Sequence, residues 1–229
     1  MGGPRVGRSG LMMSGTGAPP TITRQAALLE LSAFLMLVFS FIWIWAGAFP
    51  HASLVIYVTG LGITLTSHII HRETPEDLGL RIDNLVAALK DAAVPTLPLV
   101  ALFSAYGLAR GTLTAEALGP ERFLRVVAWG FLQQYLLQGF IHRRLGTLIE
   151  NQLRRELTVA GIFAALHLPN PILVPVTFLA GYIFAVLYRR HPNLFVLALC
   201  HAVGSTAVAF AFDPSSLHKM RVGPGYFRL

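Results

Sequence analysis

The sequence predicts an all-α protein, a polytopic membrane helix bundle of about seven transmembrane segments, and three observations predict it. Hydrophobic residues make up 54% of the 229 positions and charged residues only 13%, where a soluble domain spends about a quarter on charge. The apolar residues gather into runs separated by Pro, Gly and charged connections. The cations are placed unevenly between those runs, as they are in membrane proteins.

Residues 1–24 are rich in Gly, Pro, Ser and Arg, with no apolar stretch long enough for a signal peptide. They are expected to be a disordered lead, with Met1, Met12 and Met13 all open as the start. The membrane domain is then residues 25–212, followed by a polar tail over 213–229. A hydrocarbon core about 30 Å thick needs about 20 helical residues. The first run, Ala26 to Phe49, meets that length and carries Trp43 and Trp45 as interfacial anchors. The second run, Ala52 to Ile70, ends at an aqueous loop marked by Pro75 and its charged neighbours. Pro95 and Pro98 fall inside the third, Leu85 to Leu108, and predict a kink. The fourth runs from Phe123 to Leu148, the short fifth from Leu157 to Leu168, the sixth from Pro171 to Tyr188 and the seventh from Leu194 to Phe212.

With a cytoplasmic N-terminus, twelve of the 18 Lys and Arg residues fall inside. That agrees with the positive-inside rule and predicts a multi-pass protein of the plasma (inner) membrane. The net charge of +7 is therefore read as topology and not as a nucleic-acid surface, because the cations share no single face. Cys200 lies in an apolar run and is the single cysteine, so no intrachain disulfide is possible.

Polar groups at membrane depth are expensive, and they face protein or water. Gln134, Gln138 and His142 recur every four residues and are expected to stack on one face of the fourth helix, with Gln133 about 100° away. His167 ends the fifth run just before Pro169 and Pro171. In the seventh, His201 shares a face with Ser205, whereas Cys200 points about 100° away. Each of these groups also has a plain structural reading, since Gln, Ser and His commonly hydrogen-bond neighbouring membrane helices. Together, amides from one helix and imidazoles from two others can build one wet intramembrane chamber. Such a chamber could hold a water for hydrolysis or a metal on imidazoles.

These motifs resemble those of the CAAX protease and bacteriocin-processing family of intramembrane proteases, also called the Abi or CAAX amino-terminal protease family. The resemblance covers residues 123–212. The family pattern EExxxR is met by "QQYLLQ" at Gln133 to Gln138, FxxxH by "FAALH" at Phe163 to His167, and Hxxx(N/D) by "HAVGS" at His201 to Ser205. The resemblance implies an endopeptidase of membrane-associated or lipidated peptides, in which a glutamate and histidines activate water. By position it implies Gln133, Gln134, Gln138, His167, His201 and Ser205 as the catalytic set. It also implies His167 and His201 as candidate ligands of a divalent metal such as zinc, or a site working with no metal.

This chain departs from the family at the chemistry itself. Both glutamates are glutamines, the arginine is Gln138 and the last asparagine is Ser205. A carboxamide positions a water but does not take its proton, which leaves His167, His201 or His142 as the base. Losing the arginine together with the carboxylates is coherent, because a buried guanidinium without partners is costly. Three functions are therefore open: a divergent intramembrane endopeptidase, a catalytically inactive relative that binds a peptide or membrane partner in an immunity or chaperone-like role, and a metal or haem protein. The expected partners are the lipid bilayer and a membrane-associated peptide or protein, with no nucleic acid.

Overall fold

The computed structural model describes residues 22–46, 51–112 and 119–227. The lead up to residue 21, with all three candidate starts, lies outside the described residues, as do 47–49 of the first run.

Helix α1 (Arg24–Ser40) begins where Thr23 Oγ1 accepts the Ala26 amide, and it widens into a π turn over Phe41–Trp45. Helix α2 spans Ala52–Ile70, the run read from the sequence. Helix α3 (Leu85–Arg110) continues through Pro95 and Pro98 and stops at Gly111, whose φ of 67° suits a residue without Cβ. Helix α4 (Pro120–Gln134) starts on a proline, whose missing N–H is no loss in a first turn. It passes into a π stretch, Tyr135–His142, and then into α5 (Arg143–Leu148), making one rod. Helix α6 (Gln152–Ala165) is capped by Asn151, and α7 spans Leu173–Arg190. Helix α8 (Leu194–Ala211) is capped by Asn193, whose Oδ1 accepts the Val196 amide at 3.0 Å.

Counting the rod once, the described residues form seven helices, and five of them are long and apolar enough to cross a bilayer. The chain is an integral membrane protein. The rod and α6 fall outside the five for different reasons. Helix α6 has 14 residues, fewer than the ~20 a bilayer requires, and it begins at Gln152 with charged residues. The rod carries a polar face and is interrupted by its π stretch. Both lie within the bundle, and α8 is its centre: 61% of the α8 span is buried, against 11% of α3.

Close helix approach is arranged by glycines. A Cβ on Gly130 would stand 3.1 Å from His201 Cδ2 and 3.2 Å from the Ala198 carbonyl, so α4 lies directly on α8 at the histidine. A Cβ on Gly181 would stand 3.1 Å from Ala160 Cα, which brings α7 onto α6 beside Phe163. Small residues at helix crossings allow such contact in membranes.

The segment after Asp213 folds back as two short 3-10 turns, His218–Met220 and Gly223–Phe227. Gly223 N donates to the Leu168 carbonyl at 2.7 Å, which ties this segment to the turn behind His167.

Candidate active site

Between the helices lies a cavity of about 730 Å³ with an overwhelmingly apolar lining. Gln133 of α4, His167 after α6, and His201 and Ser205 of α8 all line it. Four of the residues singled out in the sequence therefore share one chamber. Gln134 lies behind its wall, fully buried, with Nε2 donating to His201 Nδ1 at 3.1 Å. The Gln134 Oε1 next to this contact is buried without a partner.

The hydrogen bonds set different roles for the two histidines. His167 Nδ1 must be the donor in its 2.7 Å contact with the Phe163 carbonyl, because a carbonyl oxygen only accepts. In the neutral ring Nε2 then holds the lone pair. His201 accepts at Nδ1 from the Gln134 amide, so its neutral ring carries the proton on Nε2. His167 is placed as an acceptor and His201 as a donor. The Phe163 ring packs against both, with centroids 4.9 Å from His167 and 6.1 Å from His201, and Phe184 stacks on His201 at 6.2 Å.

The single polar stripe expected on the fourth helix is divided. Gln138 and His142 do not line the chamber; they are buried and bond each other, His142 Nδ1 to Gln138 Oε1, at 2.8 Å. The physical reason is the π stretch from Tyr135 onwards. Its wider turn breaks the 3.6-residue register that would have kept Gln134, Gln138 and His142 in one row. His142 instead reaches a second, smaller pocket of about 170 Å³.

Two residue sets were not visible as site elements in the sequence. Asn170, fully buried, accepts the Ile172 and Leu173 amides at Oδ1 and donates from Nδ2 to the Leu217 and Arg221 carbonyls. It fixes the turn that follows His167 and ties it to the C-terminal segment. The second set is ionic. Arg144, near the end of the fourth run, is 0% exposed. Its guanidinium donates to Glu30 at 2.7 Å, Glu73 at 2.8 Å and Ser67 at 2.6 Å. His71 donates to Glu30 at 2.8 Å and His68 to Glu73 at 2.6 Å. Glu30, His68 and His71 thus belong to one network joining α1, α2 and α5. Arg143 also donates to Glu73 at 2.7 Å. Burial raises the Glu73 carboxyl, but the bonds from His68 and Arg144 and the charge of Arg143 outweigh it and hold the group well below the usual carboxylate range.

The donor set does not fit a zinc ion. Among the described residues no three His, Cys, Asp or Glu side chains are grouped to hold a metal, and a catalytic zinc takes three protein ligands. His167 and His201 alone fall short of that set, and His201 Nδ1 is already occupied by Gln134.

No curated protein and no solved structure matches the chain. Residues 115–207 match the family model described as "Rce1-like: Type II CAAX prenyl endopeptidase Rce1-like", a span holding Gln133, Phe163, His167, His201 and Ser205. Over residues 115–207, then, the chain is similar to the type II CAAX prenyl endopeptidases that this family model describes.

Proposed function

We propose that the chain is an intramembrane endopeptidase of the CAAX type that cuts membrane-associated or lipidated peptides with a histidine in place of the glutamate base. The observation that carries this reading is the shared lining of one apolar chamber by Gln133, His167, His201 and Ser205. The apolar walls suit a lipid-modified or hydrophobic segment, and the polar groups are few and convergent.

In this reading His167 Nε2 takes a proton from a water held by the Gln133 amide. The hydroxyl attacks the peptide carbonyl carbon, and the developing oxyanion accepts from His201 Nε2–H and Ser205 Oγ–H. His167 then returns the proton to the amine as the C–N bond breaks. Gln134 acts as a positioning residue, because its amide sets the His201 tautomer. Gln138 acts on this site only through the rod, since it bonds His142 outside the chamber. The protein is placed in the plasma (inner) membrane with its N-terminus on the cytoplasmic side, as the cation distribution supports.

Cleavage of a fluorogenic lipidated peptide in proteoliposomes tests the reading. His167→Ala should lower turnover about 100-fold or more, the range for loss of a general base. Gln133→Glu should raise it by returning a carboxylate to the chamber. A second reading rests on a specific observation: both motif carboxylates are amides, Gln133 and Gln134. In that reading the chamber binds a peptide or membrane partner without cutting it, in an immunity or chaperone-like role. Retention of the intact peptide by wild type, with no turnover at any pH, replaces hydrolysis by binding.

A further inference from the structure

The second pocket lies at the end of the bundle where α5, the start of α6 and the end of α7 meet. It encloses about 170 Å³ and is lined by Arg143, Arg155, Arg189 and the buried His142, with Gly146 in its wall. The charges of Arg155, Arg189 and Arg143 all bear on the His142 ring. Like charges gathered around a buried imidazole repel one another, so the arrangement is favourable only with counter-charge.

Two of the three guanidiniums have it. Arg189 donates to Glu156 at 2.5 Å and Arg143 to Glu73 at 2.7 Å. Arg155 has no carboxylate partner among the described residues, and its Nε is fully buried with no acceptor. Asp77, also on the rim, turns its carboxylate to Thr74, while its backbone carbonyl accepts from Arg143. The pocket thus holds an unmatched guanidinium N–H and a buried imidazole, with no carboxylate among the described residues bonded to Arg155.

We propose that this pocket binds a phosphate-bearing anion, with Arg155 as its principal ligand and the phosphate group of an anionic lipid headgroup as its source. The chemistry fits, because guanidinium forks match phosphate oxygens in pairs. The position fits as well, since basic pockets between membrane helices at a cation-rich face take acidic headgroups. Exposed Arg154 and Arg190 flank the pocket in sequence, as such a face requires. The Gln138–His142 bond links the occupied pocket to the rod that carries Gln133. The inference does not depend on whether the chamber cleaves a peptide.

The test measures thermal unfolding of the full chain. One arm compares a phosphatidylcholine bilayer with a mixed phosphatidylcholine and phosphatidylglycerol bilayer. The other titrates inorganic phosphate in neutral detergent. The mixed bilayer is expected to raise the Tm by about 4 °C or more, as occupancy by a specific ligand does. Arg155→Gln should abolish most of that shift. So should Gly146→Leu, which keeps every charge but fills the pocket; a Cβ at this position meets only Arg155 Nη1, at 3.5 Å, so the helix itself is unstrained. Arg154→Gln, which alters an exposed neighbour, should keep the shift. The same variant pattern with inorganic phosphate but not with lipid assigns the site to a soluble phosphate. No shift in either arm, or a shift that Gly146→Leu preserves or Arg154→Gln removes equally, overturns the proposal in favour of diffuse charge attraction.

Discussion

His201 is held between a hydrogen bond and a missing side chain. Gln134 fixes one face of its ring through Nδ1, and Gly130 provides the space on which Cγ and Cδ2 rest. Gly130→Ala improves helix propensity by about 1 kcal/mol, yet it puts a methyl 3.1 Å from the imidazole, so α4 or the ring must shift. We expect a small change in Tm but at least a tenfold fall in peptide turnover or peptide binding, readable on the same purified sample. Gln138 makes the opposite case. Returning the family arginine there would place a further guanidinium against His142 and the cluster of Arg143, Arg155 and Arg189. Gln138→Arg is therefore expected to destabilise the protein by about 1–3 kcal/mol, whereas Gln133→Glu, facing the chamber, is expected to fold. Circular dichroism melts of the two variants decide whether the amide substitutions are independent of one another or tied to their local charge.

At the scale of the element, the polar tail reaches the site through one residue. Asn170 satisfies two amides of the turn after His167 and two carbonyls of the returning segment. Asn170→Ala leaves these buried groups without partners, and a loss of about 2–3 kcal/mol is expected, with turnover falling because the His167 ring is no longer anchored. Preserved activity in a folded Asn170→Ala protein would show that the turn needs no tie to the tail. Helix positions were legible in the sequence because apolar runs are long and their breaks chemical: α2 and α8 begin where the pattern places them, at Ala52 and Leu194. The convergence of Gln133, His167, His201 and Ser205 was legible from motif order. The division of the Gln stripe was not, because an i,i+4 pattern assumes 3.6 residues per turn and nothing in "YLLQGFIH" announces a π stretch. The role of Asn170 was not legible because two of its partners lie far along the chain, at Leu217 and Arg221.

The molecule as a whole is joined at one end by charge. Sequence shows no burial, and Arg144, near the end of the fourth run, has a fully buried guanidinium that connects Glu30 of α1, Ser67 of α2 and Glu73 of the following loop. Removing one partner of such a network strands the others, so Arg144→Ala is expected to cost about 3–5 kcal/mol. The same network gives the fold an acid limit. The folded Glu73 carboxyl lies below its ordinary range, so the folded state holds fewer protons there than the unfolded chain between the two values. Its stabilisation is complete above the ordinary carboxylate range and is lost as pH falls through the folded value. Arg143 and Arg144 both donate to this carboxylate and keep their charge, so protonating Glu73 leaves the two guanidiniums repelling one another. Melts in neutral detergent from pH 7 downward should show wild type losing Tm once the carboxylates begin to protonate. Glu73→Gln should start lower and lose less over the same interval, since it has no proton to take up. Parallel curves for the two proteins would place the acid limit elsewhere and reduce the network to a structural contact without linkage to pH.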